Sequence, residues 1–150
     1  MKYPKKKLYR IVDKINNQYF IKPVKVKSIN FEEMADFWAL ADNITTKRPS
    51  VDILVKNTLK TAPQYVIEYL LYHEMLHTFR QYHSKQFKEH ERQYKNYNIA
   101  VRWLYKINYY GCRPKYNVDI IKFMKNKEGL TKNDISYIFG KSAQTIKKYM

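Results

Sequence analysis

Residues 64–80, QYVIEYLLYHEMLHTFR, constrain this chain more than any other stretch. Val66, Ile67, Leu70, Leu71, Met75 and Leu76 recur at helical spacing, so the segment reads as a helix. Pro63 sits where a helix can begin, with Thr61 as a candidate cap just before it. On that helix stands His73-Glu-Met-Leu-His77. At about 100° per residue, positions i and i+4 lie about 40° apart, so both histidines project from one face and can bind one ion. Glu74 lies about 100° round from His73, too far for a comfortable third ligand. It is placed instead to hold a water at the ion and take its proton. A catalytic zinc needs a third protein ligand and one open position. His83 stands at the mouth of the next helix, where the chain can fold back toward the ion. His90 competes for the role, sharing a helical face with Phe87.

The surroundings of that helix suggest an α+β arrangement. Residues 8–20 place apolar side chains at 8, 11, 12, 15 and 19, a helical period. Val24 to Ile29 alternates with period two and reads as a half-buried strand reaching Phe31. Residues 35–41, ADFWALA, read as a strand covered on both faces, and Val51, Ile53 and Val55 as a third strand. Asp42-Asn43 and Lys47-Arg48-Pro49 supply turn chemistry. Short links between successive strands suggest a small antiparallel meander beside helices. After the motif helix, Ser84 is a good N-cap for a second helix running to about Tyr97. A third apolar stretch covers Ile99 to Ile107.

A resemblance emerges from these residues together. The pattern Ile53…Asn57-Thr-Leu59…Pro63…His73-Glu74-x-x-His77-x5-His83-Ser84-x-x-Phe87…Trp103-Leu104 resembles the SprT-like and WLM/YgjP-type zinc metallopeptidases of the zincin group. The likeness covers about residues 8–105, and its H-S-x-x-F element is more specific than the two-histidine motif alone. It implies a zincin-like domain in residues 1–111, one zinc ion per chain, His73, His77 and His83 as its ligands, and Glu74 as general base. Many relatives end in a Cys-rich zinc ribbon, which a single cysteine, Cys112, excludes here.

Residues 112–150 read as a small three-helix module. Ile120, Ile121 and Met124 mark its first helix. Thr131 with Asp134 resembles a capping box ahead of Ile135, Ile138 and Phe139. Ser142 caps a last helix whose Ile146, Tyr149 and Met150 face inward. Residues 131–149 resemble a helix-turn-helix with Gly140-Lys-Ser142 as the turn. In such a module Gln144, Thr145 and Lys148 face the bases, and Lys141 and Lys147 the phosphates.

Charge supports a polyanionic partner. Lys and Arg number 29 against 13 Asp and Glu, a formal net charge of +16. That excess exceeds what solubility requires and makes DNA the first candidate partner. Fifteen tyrosines are unusual, and most suit the edge of a core. One cysteine excludes an internal disulfide and suits a reducing, cytoplasmic setting. No apolar run is long enough to span a bilayer, so no membrane partner is expected. The sequence therefore points to a zinc metallopeptidase acting on protein at or near DNA, including protein bound or crosslinked to it. The alternative is a non-enzymatic DNA-binding protein with a structural or relic metal site. Three histidines with an open fourth position favour the enzyme, and a closed four-ligand site favours the alternative.

Overall fold

The computed structural model describes residues 2–35, 37–80, 83–104, 121–122, 125–126, 131–139 and 141–148. The chain forms two compact units, Met1–Tyr97 and Asn98–Met150. In chain order the elements are helix α1 (Lys5–Tyr19), strands β1 (Lys25–Glu32), β2 (Ala39–Thr45) and β3 (Ser50–Lys56), a 3-10 turn (Asn57–Thr61), and helices α2 (Gln64–Leu76), α3 (Lys85–Arg92), α4 (Tyr97–Leu104), α5 (Lys132–Phe139) and α6 (Ala143–Lys147). This is an α+β fold. Among the described residues, no helix is long and apolar enough to cross a membrane.

The first helix forms where the period suggests, burying Leu8, Ile11, Val12 and Ile15, but it begins earlier and takes in Lys5 to Lys7. Lys5 is drawn in by the sheet, its ammonium donating to the Ile29 carbonyl and to Asn30 Oδ1. Past the helix, Asn16 ties the connection down. Its amide donates to the Val24 carbonyl at 2.9 Å and its Oδ1 accepts from the Val24 N–H at 2.8 Å. One side chain thereby satisfies both backbone groups of the residue just before the strand.

The sheet corrects the expected meander. Strand order is β1-β3-β2. β1 pairs with β3 in parallel, Ile29 beside Ile53, and β2 pairs with β3 antiparallel, Ala41 beside Ile53. β3 takes the centre because it carries the strongest buried alternation: Val51, Ile53 and Val55 are fully buried. A central strand is shielded along both edges, which suits the most apolar sequence. The chain from β1 to β2 must then cross two strand spacings, roughly 10 Å, and the link between them reaches that easily.

β2 itself is displaced from the expected position and is not covered on both faces. It starts at Ala39, none of its residues is buried, and Phe37 and Leu40 are exposed. The reason is its place at the edge of a sheet with one helix-covered face, where only small Ala39 and Ala41 point the same way as Val55 and Ile53. Asp42-Asn43 does not close a turn. It forms an irregularity inside β2, with Asn43 at φ 49°, a left-handed conformation that asparagine tolerates. The turn falls at residues 46–49, over Lys47-Arg48-Pro49.

In α2, Pro63 itself occupies the N-cap position, so Thr61 does not cap the helix; it closes the preceding 3-10 turn. Val66, Ile67, Tyr69, Leu70, Leu71, Tyr72, Met75 and Leu76 are all buried. A helix apolar around most of its circumference sits inside a core rather than on it. Each such side chain contributes on the order of 2 kcal/mol by leaving water. The second helix after the motif is shorter than expected. α3 stops at Arg92 because the next residues tighten into turns, with Tyr94 N–H donating to the Glu91 carbonyl and Tyr97 N–H to that of Tyr94. Tyr94 is thereby turned inward, its hydroxyl donating to the Tyr65 carbonyl at 2.9 Å.

In the second unit, Ile121, Ile135 and Ile146 are buried. Ser142 caps α6, its Oγ accepting from Thr145 N–H at 3.2 Å. Ile120, Met124, Gly140, Tyr149, Met150 and the stretch holding Cys112 lie outside the described residues, as do the side chains of Asp134, Ile138 and Phe139. Of the expected three-helix module, the backbones of two helices, α5 and α6, are described.

Candidate metal centre

The site is built on the last turns of α2 and the first turn of α3. Beyond Leu76 the helix tightens to three-residue steps, with His77 N–H donating to Glu74 O, Thr78 to Met75 O and Phe79 to Leu76 O. This brings the Arg80 carbonyl to 3.1 Å from His77 Nδ1. A carbonyl there makes Nδ1 the donor and leaves Nε2 its lone pair. The chain returns at His83, immediately before Ser84. Ser84 caps α3, its Oγ accepting from Phe87 N–H at 3.2 Å. The cap thus fixes where His83 stands and aims Phe87 beneath it.

The three histidines come together. Their ring centroids lie 5.1 Å apart for His73 and His77, 5.0 Å for His73 and His83, and 5.0 Å for His77 and His83. Fully buried Phe87 forms the floor, 4.9, 4.7 and 5.0 Å from the three rings. One potential ligand atom from each histidine lies within 4.8 Å of the others, a set that can hold a metal ion. His77 Nε2 and His83 Nε2 are 3.3 Å apart. Two nitrogens bound tetrahedrally to one zinc at 2.0–2.1 Å stand roughly 3.3 Å apart, so this pair is spaced as such an ion would require. Burial, and then the nearby His73, holds the His83 pKa below its usual value, which keeps its lone pair available. His90 is exposed and outside the cluster; its backbone carbonyl accepts the Tyr72 hydroxyl at 2.6 Å.

Glu74 lies beside this triangle, 5% exposed, with Oε1 3.8 Å from His73 Nε2. Burial pushes its carboxyl up to about 7, against the attraction of His73 and with a further push from Glu91. A carboxylate with its proton affinity near neutrality, beside the His73 imidazole, can exchange a proton with a water there.

Sequence reasoning missed two residues. Glu91, buried on α3, places Oε2 3.4 Å from His73 Nδ1 and accepts a hydrogen bond from the Tyr69 hydroxyl on Oε1. Burial alone would raise its pKa; the nearby His73 and the hydrogen bond from Tyr69 hold it below the usual carboxylate range. Spacing puts Phe87 and Glu91 on one face of α3 and Tyr69 and His73 on one face of α2, but nothing in the sequence says that those two faces meet.

The residues expected to read DNA belong to the second unit. Lys141, Gln144, Lys147 and Lys148 are exposed around α6. Thr145 turns back to its own cap, its Oγ1 2.8 Å from Ser142 Oγ.

Two motif histidines on a core helix, a third delivered by the following helix and a small mixed sheet are compatible with a zincin-like metallopeptidase domain. The family described as YgjP-like, metallopeptidase domain, matches residues 2–106, and the chain belongs to that family. This makes it a hydrolase of the metalloprotease class. No curated protein and no solved structure matches the chain.

Proposed function

We propose that this protein is a zinc-dependent peptidase in which His73, His77 and His83 hold one zinc ion and Glu74 is the general base. The observation that carries the reading is the near-equilateral triangle of imidazoles on Phe87, with the Glu74 carboxylate at its side. Bound zinc supplies Lewis acidity that polarises the scissile carbonyl and acidifies a neighbouring water. Glu74 orients that water, accepts its proton and returns it to the departing amine. The protein substrate aligns along the edge of β2, whose outer backbone groups are free of a sheet partner among the described strands.

Glu74→Gln tests the assignment. The amide keeps the volume but accepts no proton, so zinc content is retained while hydrolysis of a denatured protein substrate or self-cleavage falls by at least a hundredfold. Undiminished proteolysis removes Glu74 from the role.

The substrate is protein at or near DNA, in a cytoplasmic setting. The net charge of +16 and the exposed Lys141, Gln144, Lys147 and Lys148 support this placement, with Thr145 on the same short helix. Changing Lys141, Lys147 and Lys148 together to Ala in the full chain lowers the salt dependence of duplex binding by roughly 0.9 per lost phosphate contact. An unchanged slope removes the tail from DNA recognition.

A further inference from the structure

The imidazole nitrogens that face away from the triangle are held differently in the two motif histidines. His77 Nδ1 meets a backbone carbonyl, that of Arg80. His73 Nδ1 meets a side chain, Glu91, delivered from a different helix. Both oxygens of that carboxylate are engaged, Oε1 by the Tyr69 hydroxyl and Oε2 by His73. Tyr69 and His73 lie on successive turns of α2, with ring centroids 6.0 Å apart. Tyr69, Glu91 and His73 therefore link α2 to α3 behind the site.

We propose that Glu91, oriented by Tyr69, is a positioning residue that sets the tautomer and ring orientation of His73 as a metal ligand. The inference rests on the three-histidine reading and deepens it. A 180° turn of an imidazole exchanges each nitrogen with a ring carbon, and a proton shift exchanges the donor and acceptor nitrogens; both cost little unless a neighbour distinguishes the alternatives. A carboxylate on one side distinguishes them: it requires the donor there, so Nδ1 carries the hydrogen and Nε2 presents its lone pair to His77 and His83. The negative charge also makes the ring a stronger base toward a cation. Glu91 cannot itself reach the triangle while both its oxygens are held on the far side of His73. It acts through the ligand.

The test uses the full chain and Zn2+ alone, with affinity measured by competition against a chromophoric chelator. Visible absorption of the Co2+-substituted protein gives a second readout. Glu91→Gln keeps the shape and a hydrogen-bond acceptor but removes the charge. Its zinc affinity falls by roughly 10- to 100-fold and its Co2+ absorption bands shift. Tyr69→Phe frees the carboxylate without removing it and weakens zinc by roughly threefold to tenfold. His90→Ala, on the exposed side of the same helix, gives the parent values. A purely structural Glu91 would lower the melting temperature without moving the Co2+ spectrum. The inference is overturned if Glu91→Gln binds zinc within twofold of the parent with an unchanged Co2+ spectrum, or if His90→Ala loses as much as Glu91→Gln. Should Glu91→Gln fail to fold, Tyr69→Phe decides, and parent-like affinity there overturns it equally. A parent chain that binds no zinc would instead sink the three-histidine reading.

Discussion

Two buried carboxylates stand six positions apart on α2, each 5% exposed, and the protein treats them oppositely. Glu68 is surrounded by donors: Lys14 at 2.9 Å, Gln64 at 3.1 Å and Tyr94 at 3.0 Å. Glu74 has no hydrogen-bond donor on its carboxylate among the described residues, and its Oε1 lies 3.8 Å from His73 Nε2. Burial raises both. At Glu68 the three donors outweigh it and hold the carboxyl below its usual range. At Glu74 burial prevails, and the carboxyl rises to about 7. One end of the helix is electrostatically satisfied. The other is left with proton affinity to spend, beside the nitrogens that can hold a metal, as functional carboxylates are.

The largest effect expected lies at the functional end. His73→Ala or His77→Ala should leave no tight zinc binding, because two imidazoles cannot hold the ion against water. His83→Ala should do nearly the same, whereas His90→Ala should do nothing. Zinc content after dialysis measures this, and full occupancy in either motif variant would remove the site.

Next in size is the floor under the imidazoles. α3 buries only Phe87 and Glu91, whereas α2 buries ten residues. Phe87→Ala should therefore cost about 3–5 kcal/mol and release His83 from its partners, weakening zinc as well. Denaturant unfolding checks the first effect and a zinc competition titration the second. A small stability loss with parent-like zinc affinity would mean the rings hold their geometry without it.

The same contrast explains what the sequence made legible. The motif pair was readable because two histidines at helical spacing occupy one face whatever surrounds them. His83 was reachable through Ser84, whose capping of α3 is a local event between neighbours in sequence. Glu91 was not readable. A glutamate in Lys88-Glu-His-Glu-Arg92 looks like a solvated face until the packing angle of α3 on α2 turns that position inward. The sheet failed for a related reason. Local alternation identified β1 and β3 as strands, but nothing local says that β3 inserts between its two predecessors. Nor does an apolar run such as Phe37-Trp-Ala-Leu40 reveal that it borders an uncovered edge.

The smallest effect separates the two carboxylates directly, through the pH dependence of stability in the metal-free protein. Glu68 has a folded pKa below its unfolded value near 4.3–4.5, so its contribution is fully present above that value and is lost as pH falls through the folded pKa. Glu74 is the reverse. Its folded carboxyl holds the proton more tightly than the unfolded one, so the folded state loses stability as pH rises from about 4.5 toward 7, and the loss then levels off. Replacing each by Gln should split them. At neutral pH Glu68→Gln should destabilise by about 1–2 kcal/mol, since Lys14 loses its partner and the buried donors lose a charged acceptor. Glu74→Gln should stabilise the metal-free fold by on the order of 2 kcal/mol at neutral pH, with the gain gone at pH 4 where the parent carboxyl is already protonated. Urea midpoints of the three proteins at pH 4 and 7.5 make the comparison. If both substitutions shift stability in the same direction at pH 7.5, the two ends of α2 are not electrostatically distinct, and Glu74 is merely another satisfied carboxylate.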